Sequence, residues 1–354
     1  MTETWIWAQS YNDRLFKEKA TADEFVEMVR GKFTDVMLTS RADDNGRVWF
    51  NSELTAMRPE RIDGKPGGVY LLDRLHEAGI KAHAWIYTGF WSSWTRAHVP
   101  PPEAWNMRAH PDYSDSWVNF SIEGMRQYIA DHVADIVNSN DLDGVHLDYL
   151  RLRGENLDCP FVTDDHVTDV ARRIRAGIGD KVLSAAFSGR GAEMAERQRR
   201  GVWTWLTEPG LFDRLQMMSY ITRTLEFKLE WLNSLPNNDR VLPGVATFSR
   251  DADGIALPSF DTFADHTTWW YDHDRMSLAY FDSWTFRQPM AAWLPDLGTM
   301  PDPEPEPEPE PDPEPTWMPN WQRIASLERQ AAVLYRALAD LCEETASEYD
   351  EPGG

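Results

Sequence analysis

A short apolar run, a loop and a polar-to-amphipathic stretch recur eight times along the first 281 residues, and few folds accommodate that order. The apolar runs fall at 4–8, 34–40, 81–87, 144–149, 182–187, 214–219, 241–246 and 277–281. Helical periodicity marks the intervals at 22–31, 69–78, 122–137, 167–178 and 225–235. It is clearest in the third, where Met125, Tyr128, Ile129, His132, Val133 and Ile136 share one face. Buried strands that alternate with helices pair in parallel, because each helix must cross back over the sheet before the next strand begins. Eight such units predict an α/β chain closed into a (β/α)8 TIM-type barrel over residues 1–300. No glycine-rich phosphate loop follows any of the apolar runs, which argues against a nucleotide-binding open sheet.

The remainder of the 354 residues is of another kind. Residues 301–315 read PDPEPEPEPEPDPEP, in which proline removes backbone donors and the carboxylates repel one another. This predicts an extended polyproline-II linker, roughly 45 Å long at about 3.1 Å per residue. Within 316–354, Ile324, Leu327, Ala331, Leu334, Leu338 and Leu341 follow a three–four spacing. That seam predicts a short heptad helix over 321–342, for homo-oligomerisation or for docking to a partner such as a virion component.

Charge and composition narrow the partners. A net charge of −23 makes the chain a poor ligand for nucleic acid or for an anionic membrane surface. Two cysteines, Cys159 and Cys342, supply neither a disulfide framework nor a thiolate zinc site. No apolar run is long enough to insert into a membrane. The start, MTETWIWAQS, lacks the basic-then-apolar order of a signal peptide, so the expected setting is the cytoplasm or a phage virion.

Barrel enzymes carry their chemistry at the strand C-termini. The fourth strand reads GVHLDY, so His146 and Asp148 share the inward parity, with Asp148 nearer the mouth. A carboxylate there suits glycoside chemistry, as a proton donor or as a stabiliser of positive charge on the sugar. The alternative is a structural Asp148 paired with Arg41 or Arg151. Glycosidases ordinarily use two carboxylates, and Asp282, just after the eighth strand, is the candidate second acid; Asp43, Asp44 and Asp251 are weaker ones. On the third strand His83, Trp85 and Tyr87 share a side, followed by Phe90, Trp91 and Trp94. With 17 tryptophans in the chain, aromatic platforms for sugar faces are an evident use, and plugging the barrel top is the other. Arg41, Trp85, Tyr87, Trp91, Trp94, His146 and Tyr220 form the expected substrate-binding set. No cofactor and no metal is expected: a metal-dependent barrel would open on His-x-His, where this chain has Trp5-Ile6-Trp7.

Several stretches, taken together, resemble the glycosyl-hydrolase-like 10 family of bacterial β/α barrels. They are 39–41 with 46–52, LDRLHEAGIKAHAW at 72–85, NFSIEGMRQYIADHVADIVNSNDLDGVHLDYLR at 119–151, 205–220 and VLPGV at 241–245. The resemblance spans most of residues 1–290 and implies hydrolysis of glycosidic bonds in bacterial cell-wall or surface polysaccharides. It raises Asp148 as a functional residue, with Arg41, Trp85, His146 and Tyr220. The chain departs from the family at Arg47, Phe50 and Gly201-Val202-Trp203. The fourth strand is also similar to the acidic chitinase pattern, but Leu150 occupies the position of its terminal acid. A non-catalytic glycan-binding or structural barrel, such as a phage virion or tail component, is the competing reading.

Overall fold

The computed structural model describes residues 2–8, 14–40, 49–54, 61–94, 99–107, 117–152, 156–157, 159–220, 225–250, 256–258, 260–281, 290–291 and 294. The linker and heptad helix expected beyond residue 300 lie outside them.

Eight strands form the wall: β1 (Thr4–Ala8), β2 (Asp35–Thr39), β3 (Lys81–Tyr87), β4 (Gly144–Asp148), β5 (Val182–Ser188), β6 (Arg214–Met218), β7 (Val241–Ala246) and β8 (Leu278–Phe281). Each pairs in parallel with its neighbours, and β8 pairs with β1, so the sheet closes into a barrel. Every strand begins and ends within one residue of the position expected from sequence. Around the wall run α1 (Lys19–Val29), α2 (Gly67–Glu77), α3 (Glu123–Asn138), α4 (Asp164–Ile178), α5 (Val202–Thr207), α6 (Leu225–Asn233) and α7 (Phe260–Tyr271). This is the (β/α)8 architecture. Among the described residues no helix is long and apolar enough to cross a membrane.

Strand parity divides the interior into two layers of different chemistry. Side chains facing the helices are uniformly apolar: Ile6, Val36, Leu38, Ala84, Ile86, Val145, Leu147, Leu183, Phe187, Leu215 and Val245 join one continuous core with the helix faces. Each fully buried side chain of this size contributes roughly 1.5–3 kcal/mol. Side chains facing the lumen form a separate cluster around Trp5, Trp7, Met37, Trp85, Leu242 and Ala279. Interleaved with it are buried polar groups: Asp35, His83, His146, Ser184 and Gln216. The wall is therefore held from outside by a dry core and lined inside by groups able to bind.

Local signals account for the clearest helix. Thr163 caps α4 in a capping box, its Oγ1 accepting from His166 N at 3.3 Å while His166 Nδ1 accepts from Thr163 N at 3.2 Å. Val167, Val170, Ala171, Ile174 and Ile178 form its buried stripe. Helix α7 gave no such pattern in the sequence, because its inward seam is half polar. Phe263, His266, Thr267 and Trp270 are all fully buried. His266 Nδ1 accepts from Ala246 N at 3.3 Å, and Thr267 donates to Phe263 O at 2.8 Å, so each polar position of the seam has a backbone partner.

The Asp143-Gly144 pair at the start of β4 does more than turn the chain. Asp143 Oδ2 accepts from Ala82 N at 2.8 Å and meets His76 Nε2 at 2.8 Å, which pins β3 to β4 and α2. Gly144 lies inside the strand. A Cβ there would come within 2.2 Å of Val182 O and 2.8 Å of His83 Nδ1, so the His83 imidazole occupies the room a side chain would need.

Candidate active site

The lumen is filled from its floor upward. His83 Nε2 meets Asp35 Oδ1 at 2.7 Å, and Trp5 stacks on the imidazole with ring centroids 4.7 Å apart. One level higher, His146 Nδ1 lies 3.0 Å from Ser184 Oγ, and Trp7 packs edge-on to His146 at 5.5 Å. Burial, reinforced by the neighbouring His83, pushes His146 well below the ordinary histidine range, so it stays neutral at physiological pH. The fully buried amide of Gln216 faces this imidazole from β6.

Asp148 ends β4 at the mouth, with 8% of its surface exposed. Trp85 Nε1 donates to its Oδ2 at 3.2 Å, and the following amide, Tyr149 N, donates to its Oδ1 at 2.7 Å. Its carbonyl accepts from both Thr88 N and Thr88 Oγ1 at 2.8 Å, which locks β4 to the exit of β3. Tyr149 carries a left-handed φ of 54°, an uncommon backbone state for a bulky residue. Gly89 makes room for it, since a Cβ at Gly89 would lie 2.2 Å from Tyr149 O. Desolvation raises the Asp148 carboxyl above the ordinary aspartate value; the charges of Arg151 and Arg200, the Tyr149 amide and the Trp85 indole oppose that rise without cancelling it.

Two guanidinium groups stand beside this carboxyl. Arg151 packs over the Tyr149 ring, 5.0 Å from its centroid. Arg200 comes from the segment following the short helix Ala192–Arg197 and is 2% exposed. Among the described residues no hydrogen-bond partner reaches its Nε, Nη1 or Nη2. Burial first, then repulsion from Arg151, disfavours its charge, and Asp148 favours it.

A chain of aromatic contacts rims the same end. Tyr87 meets Tyr149 at 5.3 Å and Trp85 at 5.2 Å; Trp85 and Trp7 both reach Phe281, at 6.2 and 5.6 Å; and Phe281 stacks on Tyr220 at 5.0 Å. Trp7 and Trp85 lie buried beneath, while Tyr87, Tyr149, Tyr220 and Phe281 are partly exposed. Gly244 admits the Tyr220 ring, whose Cε1 lies 2.8 Å from where a Cβ would stand.

Of the residues singled out from sequence, the fold gathers Trp85, Tyr87, His146, Asp148 and Tyr220 in or above the lumen. Trp91 and Trp94 pack elsewhere, in the core on the helix side. Trp94 is fully buried, donates from Nε1 to Thr88 O at 3.0 Å and packs against Tyr128 and His132 of α3. Neither ring presents a face to a ligand in this conformation. Arg41 and Asp282 lie outside the described residues, as do Asp43, Asp44 and Asp251. Trp7, Tyr149, Phe281, Gln216 and Arg200 were not singled out. Inward strand parity could have found Trp7, Gln216 and Phe281, whereas nothing local marks Arg200. Among the described residues no three His, Cys, Asp or Glu side chains gather as a metal-ligand set.

No protein-family model matches the chain, and no curated protein matches it. Solved structures do. The barrel is similar to the glycoside hydrolase domain of PgaB (BpsB) from Bordetella bronchiseptica, at 12% identity and TM-score 0.63, covering 80% of this chain and 95% of that one. It is similar to a GH18 chitinase from Pseudoalteromonas aurantia, at 13% identity and TM-score 0.54, covering 83% and 99%. It is also similar to α-L-fucosidase isoenzyme 2 from Paenibacillus thiaminolyticus, at 12% identity and TM-score 0.56, covering 82% of this chain and 48% of that one. At these identities the likeness is one of fold.

Proposed function

We propose that this chain is a glycoside hydrolase acting on a bacterial cell-wall or surface polysaccharide, with Asp148 as its principal catalytic carboxyl. The observation that carries the reading is Asp148 itself: a carboxyl at a strand C-terminus, desolvated, raised in pKa and set among partly exposed aromatic rings. A raised carboxyl keeps its proton to higher pH and can deliver it to the glycosidic oxygen as the C–O bond breaks. Neutral His146 and the Gln216 amide offer hydrogen bonds below it, and Tyr87, Tyr149, Tyr220 and Phe281 offer faces for sugar rings. Glycosidases among the similar barrels support the reaction class. The stretches at 72–85 and 119–151 support kinship with the glycosyl-hydrolase-like 10 family. Leu150 is buried in the apolar core, so an acid two residues beyond Asp148 has no part in the mechanism. Asp282, which directly follows β8, is the proposed second carboxylate, and Arg41 a substrate-binding residue.

The test is reducing-end release from a panel of bacterial cell walls and surface polysaccharides, by wild type and by Asp148→Ala. Release by wild type alone supports the reading; equal release by both removes Asp148 from the chemistry.

One observation favours a second reading. Among the described residues at the strand C-termini, Asp148 is the one carboxylate. A glycan-binding barrel that does not turn over, carried on the proline–acid stalk as a virion or tail component, fits that economy. Glycan binding without release by any variant would select it. A strict monomer by solution mass, for the full chain, would count against the stalk and heptad helix as an assembly device.

A further inference from the structure

Arg200 differs from four partly buried arginines of the barrel that each hold a carboxylate. Arg126 holds Asp169 at 2.6 Å, Arg172 holds Glu208 at 2.7 Å, Arg175 holds Asp213 at 2.5 Å, and Arg214 holds Glu3 at 2.7 Å. All of these are more exposed than Arg200, and all have a carboxylate. Arg200 is 2% exposed, and among the described residues its Nε, Nη1 and Nη2 meet no acceptor. A buried, uncompensated guanidinium is strongly unfavourable, because five donors and a full charge leave water with nothing in return.

The backbone nevertheless holds it there. Arg200 N donates to Ala195 O at 2.9 Å, Val202 N donates to Arg200 O at 2.8 Å, and Leu152 N donates to Gln198 O at 2.9 Å. The last bond ties this segment to the chain leaving β4. Arg199 has a left-handed φ of 56°, and a Cβ at Gly201 would lie 2.9 Å from Thr168 Oγ1. The segment is thus fixed on both sides of Arg200 in a strained course.

Its electrostatic neighbours are Asp148 and Arg151. Among the described residues no salt bridge joins it to Asp148, whose carboxylate oxygens accept from Trp85 Nε1 and Tyr149 N. Two cations therefore flank one carboxyl, at the mouth of a chain whose net charge is −23. A planar fork with free donors, beside a second guanidinium, matches a bidentate oxyanion.

We propose that Arg200 receives an oxyanionic substituent of the sugar bound next to Asp148, so that the substrate class is an acidic glycan, bearing a carboxylate or a phosphate ester. The inference rests on the reading of Asp148 as the reacting site, and it adds the charge that the substrate carries. Because the donors have no solvent contact in the structure, engagement includes a side-chain movement at the mouth.

Binding of small probes, measured by ligand-observed NMR on the full chain, tests it without requiring turnover. The probes are glucuronate, glucose 6-phosphate and neutral glucose. Wild type is expected to bind one or both acidic sugars about 10- to 100-fold more tightly than glucose, the range for charge-assisted hydrogen bonds. Which of the two wins identifies the oxyanion. Arg200→Met is expected to erase the preference while raising Tm by a few degrees, because an apolar side chain replaces an unpaired buried charge. Arg200→Lys should keep part of the preference and report that the variant site is intact. Equal binding of acidic and neutral sugars by wild type would overturn the proposal. So would an Arg200→Met protein that loses stability and keeps the preference, which is the signature of a structural arginine. Asp148-dependent cleavage would survive either result. Conversely, Arg200-dependent binding with no cleavage of any glycan would sink the hydrolase reading and leave the anion site standing.

Discussion

At the N-terminal end of the barrel, Asp35 meets His83, Glu3 meets Arg214, Asp213 meets Arg175, and Asp143 meets His76 and the Ala82 amide. At the C-terminal end, among the described residues, Asp148 has hydrogen bonds but no ion pair, the Arg200 guanidinium has neither, and Tyr149 sits in a left-handed backbone state. The same eight strands run through both ends, so the difference lies in the side chains they present and in the backbone where β4 ends. The charged groups named at the N-terminal end are paired within the chain, which favours stability. Those at the C-terminal end are desolvated without an ion pair among the described residues, an arrangement that opposes stability and suits binding and proton transfer.

The largest expected effect separates the two ends by activity. Asp148→Ala should lower reducing-end release by roughly 10²- to 10⁴-fold, the range for loss of a general acid, with Tm nearly unchanged. If Tm collapses instead, Asp148 belongs with the structural groups of the other end. Next, Asp35→Ala should destabilise the fold by about 3 kcal/mol in chemical denaturation, because it strips a fully buried imidazole of its partner. A change within about 0.5 kcal/mol would break the contrast.

A smaller effect comes from the sign of the Asp148 shift. Its folded pKa lies above the ordinary 3.8, so the folded chain binds that proton more tightly than the unfolded chain does. Its contribution to stability is present at low pH and is lost as pH rises from about 4 through the raised value. Asp148→Asn should therefore raise Tm by a few degrees at neutral pH, with the gain fading towards pH 4. A gain that persists unchanged at acid pH would mean that the carboxyl is not raised. The smallest effect belongs to the partly exposed Glu3–Arg214 pair at the N-terminal end: Glu3→Gln should change unfolding free energy by less than about 1 kcal/mol. A loss of several would mean that this pair anchors barrel closure.

Much of this was legible residue by residue. Period-two alternation in parallel strands gives each inward set directly, so His83, Trp85, Tyr87, His146 and Asp148 could be assigned to the lumen before any coordinates. Helix α4 announces itself by Thr163 and a five-residue apolar stripe. Helix α7 does not, because His266 and Thr267 occupy its seam, where they bond to the distant Ala246 amide and to the Phe263 carbonyl on the preceding turn. Trp91 and Trp94 mislead for a related reason. Their aromatic character follows β3 as a platform would, but the turn of Trp91–Trp94 sends Trp94 into the core against α3.

The amino-acid sequence alone determined the closed parallel barrel, its strand boundaries and the place of Asp148, because those follow from local periodicity and from the packing that eight such units force. Tertiary structure alone decided which aromatic rings stay partly exposed above the lumen, which buried charges find partners, and that Arg200 arrives beside Asp148 from another β/α unit. Burial and pairing are relations between residues distant in the chain, and no local pattern records them.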